Sequence, residues 1–352
     1  MKQKILLLLE SGLLLAGLLL ALAGWLQQGA LEQPLRVTAE QLLEVPVGAT
    51  PSGVLNRLER EAVLSDAFWL RLYWRFNLSG QALQSGEYQL KPGMRVVDLL
   101  GLWQRGEVVQ YKLALIEGWS FKQVRAALAG QGKLTQSLVD LSDEQLMSSL
   151  GRAGENPEGR FFPDTYRFVR GMRDIDLLKQ ALARMDEVLA QQWSQRAADV
   201  PYREPYQALI MASLVEKETG VPEEREQIAG VFLRRLKIGM LLQTDPTVIY
   251  GLGERYKGNL TRANLREPSA YNTYLNPGLP PTPIALVGRA AIYAALHPAP
   301  GNSLYFVARG DGSHVFSAGL DAHNRAVQEF QLKRRADYRS SPAKTDSQKD
   351  SQ

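Results

Sequence analysis

The sequence predicts an α+β protein with an N-terminal transmembrane helix, a small module of βα units, and a mixed, mainly helical C-terminal domain that contains a β-hairpin. Three observations support this fold class. An apolar stretch of bilayer length begins near the N-terminus, a strand, a Gly turn and a helix follow one another three times, and amphipathic helices then alternate with Pro-rich loops. With 352 residues, the chain can bury two separate hydrophobic cores.

The N-terminal segment has the length and charge pattern of a membrane anchor. Met1–Lys4 contains two lysines and precedes the apolar run Ile5–Leu26, which is close to the roughly 20 residues that cross a bilayer. Lysines on this side predict a cytoplasmic N-terminus and export of the rest. A signal peptide cleaved after Ala23 is the alternative, but the apolar run continues beyond that residue. We therefore predict that residues 1–26 hold the cytoplasmic N-terminus and the transmembrane helix, and that residues 27–40 form a linker.

Residues 41–130 are predicted to form a module of βα units, because a strand, a Gly turn and a helix follow one another three times. The three predicted helices are Gly53–Ala62, Val96–Trp103 and Phe121–Leu128. Between the first two lies the amphipathic run Phe68–Trp74, which predicts a core helix. Stacking of Trp69 or Trp74 on a sugar ring is the alternative. Small βα units with aromatic residues suit a binding or spacing module.

Residues 131–338 are predicted to form one mainly helical domain. Helical patterns cover about Lys133–Ser194, except for Glu158–Phe168, whose glycine and proline predict a rigid aromatic loop. This loop is a buried plug, a wall of a cleft, or both. The other predicted elements are the helices Arg225–Ile238, Val287–Leu296 and Leu320–Arg334, the long Pro-rich loop Tyr271–Ile284, and the hairpin strands Ser303–Ala308 and His314–Ser317. The polar tail 339–352 is predicted to be disordered.

Composition and charge exclude several classes of function. The net charge is +4 and the visible basic cluster is Lys333–Arg335, so the sequence gives no support for nucleic-acid binding. The absence of cysteine excludes disulfides, thiolate metal sites and cysteine nucleophiles, and there are only three histidines, His297, His314 and His323. The sequence contains no Gly-rich phosphate loop. We expect neither a metal nor another cofactor, which for an exported enzyme points to acid–base chemistry on an extracytoplasmic polymer.

The run Leu209–Gly220 predicts a short helix that holds an acid among aliphatic side chains. At about 100° per residue, Glu218 falls inside an apolar stripe, whereas Glu216 falls on the opposite side with Leu209 and Ala212. The stripe consists of Ile210, Met211, Leu214 and Val215.

Gly220 is expected to end this helix in the left-handed conformation, which puts Glu218 in the last turn, where the helix dipole disfavours ionisation. Burial and the dipole would both raise the pKa of Glu218, as a general acid needs. The alternative is an ordinary solvated acid at a frayed helix end.

The sequence offers no equally clear second carboxylate to act with Glu218 in catalysis. Asp245 precedes Pro246 and has the pattern of a helix N-cap, and Asp164, which follows a proline, allows the same interpretation. Ordinary glycoside hydrolysis uses one protonated and one ionised carboxylate, and here only Glu218 has a reason to stay protonated. A reaction that uses one acid and then reuses it as the base fits better, with a hydroxyl group of the sugar as the nucleophile in place of water.

Six strings of residues resemble one family of cell-wall enzymes. They are Glu158–Tyr166, Met211–Thr219, Leu242–Gly251, Tyr271–Tyr274, Gly278–Pro281 and His297–Pro298. In this order they resemble the endolytic murein transglycosylases of the MltG/YceG-like family over nearly the whole chain, including an N-terminal anchor and a LysM-like module. The catalytic residue of that family is the second acid of a Glu-Lys-Glu-Thr motif, which here is Glu218.

The resemblance implies cleavage of the β-1,4 bond between N-acetylmuramic acid and N-acetylglucosamine within peptidoglycan strands, leaving 1,6-anhydro-muramyl ends and requiring no cofactor. It also implies that nascent strands are terminated beside membrane peptidoglycan synthases by an enzyme anchored once in the cell inner membrane, with its catalytic domain in the periplasm. The expected substrate-binding residues are Gln243, Asp245, Thr247, Tyr250, Tyr271, Asn272, Thr273 and His314. Polar loop residues of this kind can also serve only their own backbone.

Two other functions stay open at this point. One is a lysozyme-like hydrolase that uses Asp245 or Asp164 as the partner of Glu218. The other is a non-catalytic glycan-binding scaffold of the cell envelope, against which the intact Glu218 motif argues.

Overall fold

The computed structural model describes residues 2–78 and 80–332 and confirms an α+β fold with small two-stranded sheets. The chain forms two compact units. The first comprises the described part of Met1–Lys112 with Gly132–Thr135 and Arg167–Arg173, and the second comprises Leu113–Gln131, Gln136–Tyr166 and the described part of Asp174–Gln352. Residues 113–131 thus lie in the second unit, whereas the sequence interpretation assigns nearly all of them to the module 41–130. The basic cluster 333–335 and the tail predicted to be disordered lie outside the described residues.

The first helix, α1 (Lys2–Glu32), is longer than the predicted transmembrane helix. Its segment Leu9–Glu32 is long and apolar enough to cross a membrane by length and composition. The stretch predicted as the start of a linker, from residue 27, is helical up to Glu32. Ala30 and Leu31 pack against the core of the first unit, and this packing stabilises a last helical turn that composition does not predict.

The core of the first unit is built from two strands and three helices. Strands β1 (Gln41–Val45) and β2 (Gly86–Leu90) pair antiparallel. Helices α2 (Pro51–Arg60), α3 (Phe68–Asn77) and α4 (Val96–Arg105) contribute buried side chains to the same core. Two of the three predicted βα units, β1 with α2 and β2 with α4, are therefore present here. Trp74 packs in this core, as the sequence predicts for α3.

The third predicted βα unit consists of β3 (Tyr111–Ala114), which pairs with β4 (Thr165–Phe168), and α5 (Phe121–Ala129). The predicted aromatic loop Glu158–Phe168 therefore ends as a strand. Phe161 is fully buried and stacks on Phe121 with ring centroids 5.2 Å apart. This packing agrees with the buried-plug interpretation of the loop.

Helix α8 (Pro205–Glu218) packs against four other helices of the second unit. They are α7 (Asp174–Ser194), α9 (Arg225–Lys237), α10 (Asp245–Leu252) and α11 (Arg289–Leu296). Every residue from Ala208 to Val215 is buried, so this part of α8 has no solvent-facing side. The single apolar stripe predicted from the helical wheel is therefore wrong, because Leu209 and Ala212 on its opposite side are buried as well.

The end of α8 also differs from the expectation. The helix ends at Glu218 because Thr219 is extended, with φ −140° and ψ 137°. Gly220 does not adopt the left-handed conformation, so the predicted glycine cap is wrong. Glu218 is nevertheless in the last turn, as predicted.

The rest of the second unit contains a short helix and the predicted hairpin. Helix α6 (Asp143–Ser149) begins with a capping box at Ser142. Strands β5 (Tyr305–Ala308) and β6 (His314–Ser317) pair antiparallel and confirm the hairpin. Helix α12 (Leu320–Val327) follows and continues as a π-helical turn over Gln328–Leu332.

The packing of the first unit predicts a large effect of one aromatic side chain on stability. Trp103 is 2% exposed and lies edge-on to Trp74 and Tyr88, with ring centroids 5.8 and 6.4 Å away. Trp103→Ala should lower the free energy of unfolding of this unit by about 3–5 kcal/mol, because the lost ring leaves a cavity. Urea unfolding of the full chain in detergent, followed by near-UV circular dichroism, measures the change.

The matched control is Val47→Ala, at a position that is 75% exposed. It should change the free energy of unfolding by no more than about 0.5 kcal/mol. Equal, small effects of the two substitutions would contradict the assignment of Trp103 to the core.

Candidate active site

Glu218 lies beside a cleft of about 620 Å³ in the second unit. Its side chain is half-buried, and its Oε1 accepts a hydrogen bond from the Oγ1 hydroxyl of Thr244. Thr244 directly precedes α10, while Glu218 is the last residue of α8. The end of one helix and the start of another thus bring the carboxylate and its donor together.

Burial raises the pKa of Glu218 from its ordinary value of 4.5 to about 7. The negative charge of Asp245 adds to this increase. The hydrogen bond from Thr244 and the positive charge of Arg235 oppose it, because both favour the ionised form. The carboxyl group is therefore close to half-protonated at neutral pH.

Three threonines form a buried network that fixes the donor. The backbone N–H of Thr244 donates to Thr273 Oγ1 over 3.1 Å, and Thr247 Oγ1 donates to the carbonyl of Thr244 over 2.7 Å. The hydroxyls of Thr247 and Thr273 are 2.8 Å apart. Thr247 and Thr273 were predicted to bind substrate, but they are fully or almost fully buried and instead hold Thr244.

Gln243, next to Thr244, lines the cleft in a strained backbone conformation. Its φ is 51°, a left-handed value that non-glycine residues rarely adopt. Its backbone N–H donates to the carbonyl of Thr273 over 3.1 Å, which holds the residue in this conformation. Strain of this kind is common where a side chain must face a ligand.

Arg235 brings a buried positive charge to the cleft without neutralising Glu218. Its Nε donates to the carbonyl of Leu304 and its Nη1 to the carbonyl of Leu242, both over 2.7 Å. The guanidinium also lies over the Tyr305 ring, 5.3 Å from its centroid. Because these donors are directed to carbonyl oxygens, the pKa of Glu218 stays raised.

Two further side chains line the cleft and carry hydrogen-bonding groups. Asp245 Oδ1 accepts a hydrogen bond of 2.6 Å from the Tyr274 hydroxyl. His314 on β6 donates its backbone N–H to Glu224 Oε1 over 2.8 Å, and its ring Nδ1 lies 2.7 Å from Glu224 Oε2. Since Glu224 occupies Nδ1, the other ring nitrogen of His314 is the one available to a ligand.

Four of the predicted site residues thus line one cleft, namely Glu218, Gln243, Asp245 and His314. Tyr250, Tyr271 and Asn272 do not line it. The rings of Tyr250 and Tyr271 are 4.8 Å apart, and the Tyr250 hydroxyl donates to Glu158 over 3.0 Å. Asn272 Nδ2 donates to the carbonyls of Leu265 and Glu267, so it organises the loop around it.

Two other glutamates have raised pKa values but serve as backbone caps. Glu216 Oε2 accepts from the N–H of Gly288, which precedes α11, over 3.2 Å. Glu158 accepts from the N–H of Phe121 at the start of α5, and burial raises its pKa to about 7. Of these three acids, only Glu218 lines the cleft.

The sequence interpretation missed several residues of the cleft. Arg235, Tyr274, Tyr305 and His323 line it, and Thr244 and Glu224, which the interpretation also missed, contact the lining residues Glu218 and His314. Thr244 lies within one of the six family strings, Leu242–Gly251, and its place between Gln243 and Asp245 is the only signal in the sequence that points to it. Within the part of the chain that the structure describes, no three His, Asp or Glu side chains are grouped so that they could hold a metal ion.

Comparisons with known proteins agree with one another. Residues 43–329 match the YceG-like family. An endolytic murein transglycosylase of Bacillus subtilis is 30% identical over 309 residues, which cover 82% of this chain and 84% of the relative. A protein of the same name from Streptococcus pneumoniae is 28% identical over 320 residues, which cover 81% of this chain but only 57% of the relative.

One solved structure is similar over its whole length. It is the crystal structure of a YceG-like protein from Listeria monocytogenes, with a TM-score of 0.54 and 30% sequence identity. The match covers 82% of this chain and 99% of that protein.

The Thr244 hydroxyl should control the protonation of Glu218. Thr244→Val removes a donor to the ionised carboxylate and should raise the pKa of Glu218 above about 7. Titration of ¹³C-labelled glutamate side chains by NMR measures this pKa, and the resonance is assigned by its loss in Glu218→Gln. Thr261→Val is the control, because the Thr261 hydroxyl bonds only locally, to Asn264. An unchanged or lower pKa in Thr244→Val would show that this hydrogen bond does not stabilise the carboxylate.

Proposed function

The chain belongs to the YceG-like family, and we propose on this basis that it is an endolytic lytic transglycosylase of peptidoglycan. Its substrate would be the β-1,4 bond between N-acetylmuramic acid and N-acetylglucosamine within a glycan strand. One observation carries the proposal: Glu218, one of two acids that line the cleft, has a pKa raised to about 7. Such a group can give a proton and take one back near neutral pH.

Protonated Glu218 would first donate its proton to the glycosidic oxygen, and the bond from that oxygen to C1 of the muramyl residue would break. The 6-hydroxyl of the same muramyl residue would then attack C1 and lose its proton to the Glu218 carboxylate. The products are a free 4-hydroxyl and a 1,6-anhydro-muramyl end. No water is consumed, and Glu218 returns to its protonated form, so the enzyme is a carbon–oxygen lyase.

The surroundings of Glu218 suit these two steps. The Thr244 hydroxyl would stabilise the carboxylate that forms after the first proton transfer. The charge of Arg235 would act in the same direction from a position that leaves the carboxyl group free to ionise or protonate. Gln243, Asp245 and His314 would contact the sugar. Thr247 and Thr273 would act through Thr244, and a substrate contact of Tyr250, Tyr271 or Asn272 stays a prediction.

A lysozyme-like hydrolase is the second candidate, because Asp245 is a second carboxylate beside the same cleft. The Tyr274 hydroxyl already donates to Asp245, over 2.6 Å. That hydrogen bond occupies Oδ1 and fixes the orientation of Asp245, so only Oδ2 would remain to activate a water molecule. Asp164 accepts a hydrogen bond of 2.7 Å from the backbone N–H of the next residue, Thr165.

We further propose how the enzyme is placed in the cell envelope. Helix α1 would cross the cell inner membrane once, leaving the catalytic unit in the periplasm, with a cleaved signal peptide as the alternative. The βα units of the first unit would form a LysM-like module that contacts glycan. Anchoring beside membrane peptidoglycan synthases would let the enzyme cut strands as they are made.

Substitution of two glutamates on the same helix tests the catalytic assignment. Glu218→Gln should abolish cleavage of purified glycan strands, because an amide cannot donate the proton. Glu216→Gln should largely spare it, since the amide oxygen can still accept from Gly288 N–H. Mass spectrometry of the products separates the candidate functions: anhydro ends are one water lighter than the reducing ends of a hydrolase, and bound but intact strands indicate a scaffold.

The free energy of unfolding of Glu218→Gln shows whether this variant is folded. Above pH 7 the native protein holds an ionised, half-buried carboxylate, so the amide variant should be at least as stable as the native protein there. At pH values below 4.5 Glu218 is protonated in both folded and unfolded chains, and this difference should vanish. Equal losses of activity in Glu216→Gln and Glu218→Gln would contradict the assignment.

The pKa of Glu218 also predicts the pH dependence of cleavage. The proton donor must be protonated in the free enzyme, so kcat/KM should fall about tenfold per pH unit above about pH 7. Thr244→Val should move this decline to higher pH, because it raises the pKa. Initial rates on glycan strands between pH 5 and 9 measure both profiles, with Glu216→Gln as the control whose decline should not move. A rate that stays constant above pH 7 would exclude Glu218 as the acid.

A further inference from the structure

Helix α3 of the first unit has two faces of different character. Leu70 and Trp74 are buried in the core of the unit. The opposite face exposes Phe68 and Phe76, which are 54% and 72% exposed, and Leu72 lies between them at helical spacing. The outward face of this helix is therefore apolar and aromatic, which is unusual for a surface that faces only water.

Two arginines flank this apolar face. At about 100° per residue, Arg71 and Arg75 fall along one edge of it, next to Phe68. Arg71 donates to Asn56 and lies 3.5 Å from Glu59, while the Arg75 side chain is exposed. Both arginines and Phe68 line a surface groove of about 480 Å³. Aromatic residues beside cations are the pattern of a helix that lies in a membrane interface.

The position of α3 relative to α1 points to a lipid surface. Helix α1 packs against α3 and α4. Five positions of α1 are partly buried at spacings of one to four residues, namely Ala23, Leu26, Gln27, Ala30 and Leu31, while the rest of residues 9–32 is exposed. The contact of α1 with the first unit thus begins within the last residues of its apolar run.

Hydrogen bonds and an ion pair fix the end of α1 to the segment before α3. The side chain of Gln33 accepts from the N–H of Ser65 and donates to the carbonyl of Asp66, both over 3.2 Å. Glu32 pairs with Arg95 at the start of α4. At about 1.5 Å per residue, Leu26 and Glu32 are only about 9 Å apart along the helix axis. Helix α3 is therefore held at the level where a membrane-spanning α1 would leave the hydrocarbon core.

We propose that the exposed face of α3 lies in the headgroup region of the bilayer that α1 crosses and binds anionic phospholipid through Arg71 and Arg75. Phe68, Leu72 and Phe76 would enter the acyl boundary. The proposal rests on the membrane anchor of the proposed function and adds a second contact with the membrane. A helix that only spans the bilayer can tilt and rotate, whereas two contacts would hold the first unit at one height and orientation.

The place of this face, beside the end of the apolar part of α1, favours lipid over other partners that could cover it. A second copy or another protein could also cover aromatic residues. However, the face is held beside the end of an apolar helix. Arg71 at its edge is paired with Glu59, while the exposed Arg75 adds a positive charge that an anionic lipid surface attracts.

The absence of cysteine from the chain allows a direct test on the full-length protein. Phe76→Cys and, as a control of similar exposure, Val47→Cys are each spin-labelled and reconstituted in vesicles of phosphatidylcholine with phosphatidylglycerol. Collision rates with oxygen and with a water-soluble nickel chelate report the depth of each label. The label at residue 76 should collide with the nickel chelate several-fold less than the label at residue 47, at every lipid-to-protein ratio.

Three results would overturn the proposal. Equal accessibility of the two labels means that α3 faces water, and protection that disappears on dilution with lipid means that a second copy covers it. Equal protection of the label at residue 76 in vesicles of phosphatidylcholine alone would show that Arg71 and Arg75 do not bind anionic phospholipid. Flotation of the same vesicles tests the anchor, and product analysis of the same samples tests the enzymatic activity, so failure of either is seen separately.

Discussion

The partial burial of the Glu218 carboxyl group is the constraint on which the proposed chemistry of the second unit depends. Glu218 ends a helix that is buried on all sides from Ala208 to Val215 and reaches solvent again over its last three residues, Glu216–Glu218. Desolvation is the largest cause of its raised pKa. An ion pair with a nearby arginine would cancel that effect, and Arg235 avoids this because its Nε and Nη1 donate to the carbonyls of Leu304 and Leu242. These two carbonyl groups thus direct the Arg235 guanidinium away from an ion pair with Glu218.

The sequence predicts Glu218 as the catalytic acid, but partly for a wrong reason. The helical wheel separated Glu218 from Glu216 by assuming one apolar stripe, whereas both sides of α8 are buried. The two acids differ in their hydrogen-bond partners. Glu216 accepts from the backbone N–H of Gly288, whereas Glu218 lines the cleft and accepts from the hydroxyl of Thr244. Those partners lie 72 and 26 residues away along the chain, so local periodicity contains no information about them.

The same limit explains the mixed result for the other site residues. Asp245 and Tyr250 stand in one string, yet five residues at about 100° each turn Tyr250 about 140° away from Asp245 on α10. Tyr250 therefore meets Glu158 and Tyr271, while Asp245 lines the cleft. The sequence does not indicate Glu224, because its contact is with the ring of His314, which lies 90 residues later in the chain. The stretch after residue 26 was misjudged for a related reason, since polar composition suggested a linker and packing of Leu31 against the core makes it helical.

Function and stability oppose each other at this site. A pKa raised from 4.5 to about 7 means that ionised Glu218 is disfavoured by about 3 kcal/mol relative to an exposed glutamate. That cost is absent while the group is protonated and grows as the pH rises above 4.5, the pKa of the unfolded chain, until it is complete above pH 7. The proposed reaction makes use of both states, because the protonated form cleaves the bond and the ionised form closes the anhydro ring. The Thr244 network keeps the cost small enough for the ionised form to exist, and a site without that hydroxyl would hold Glu218 protonated up to a higher pH, with less of the carboxylate present at neutral pH.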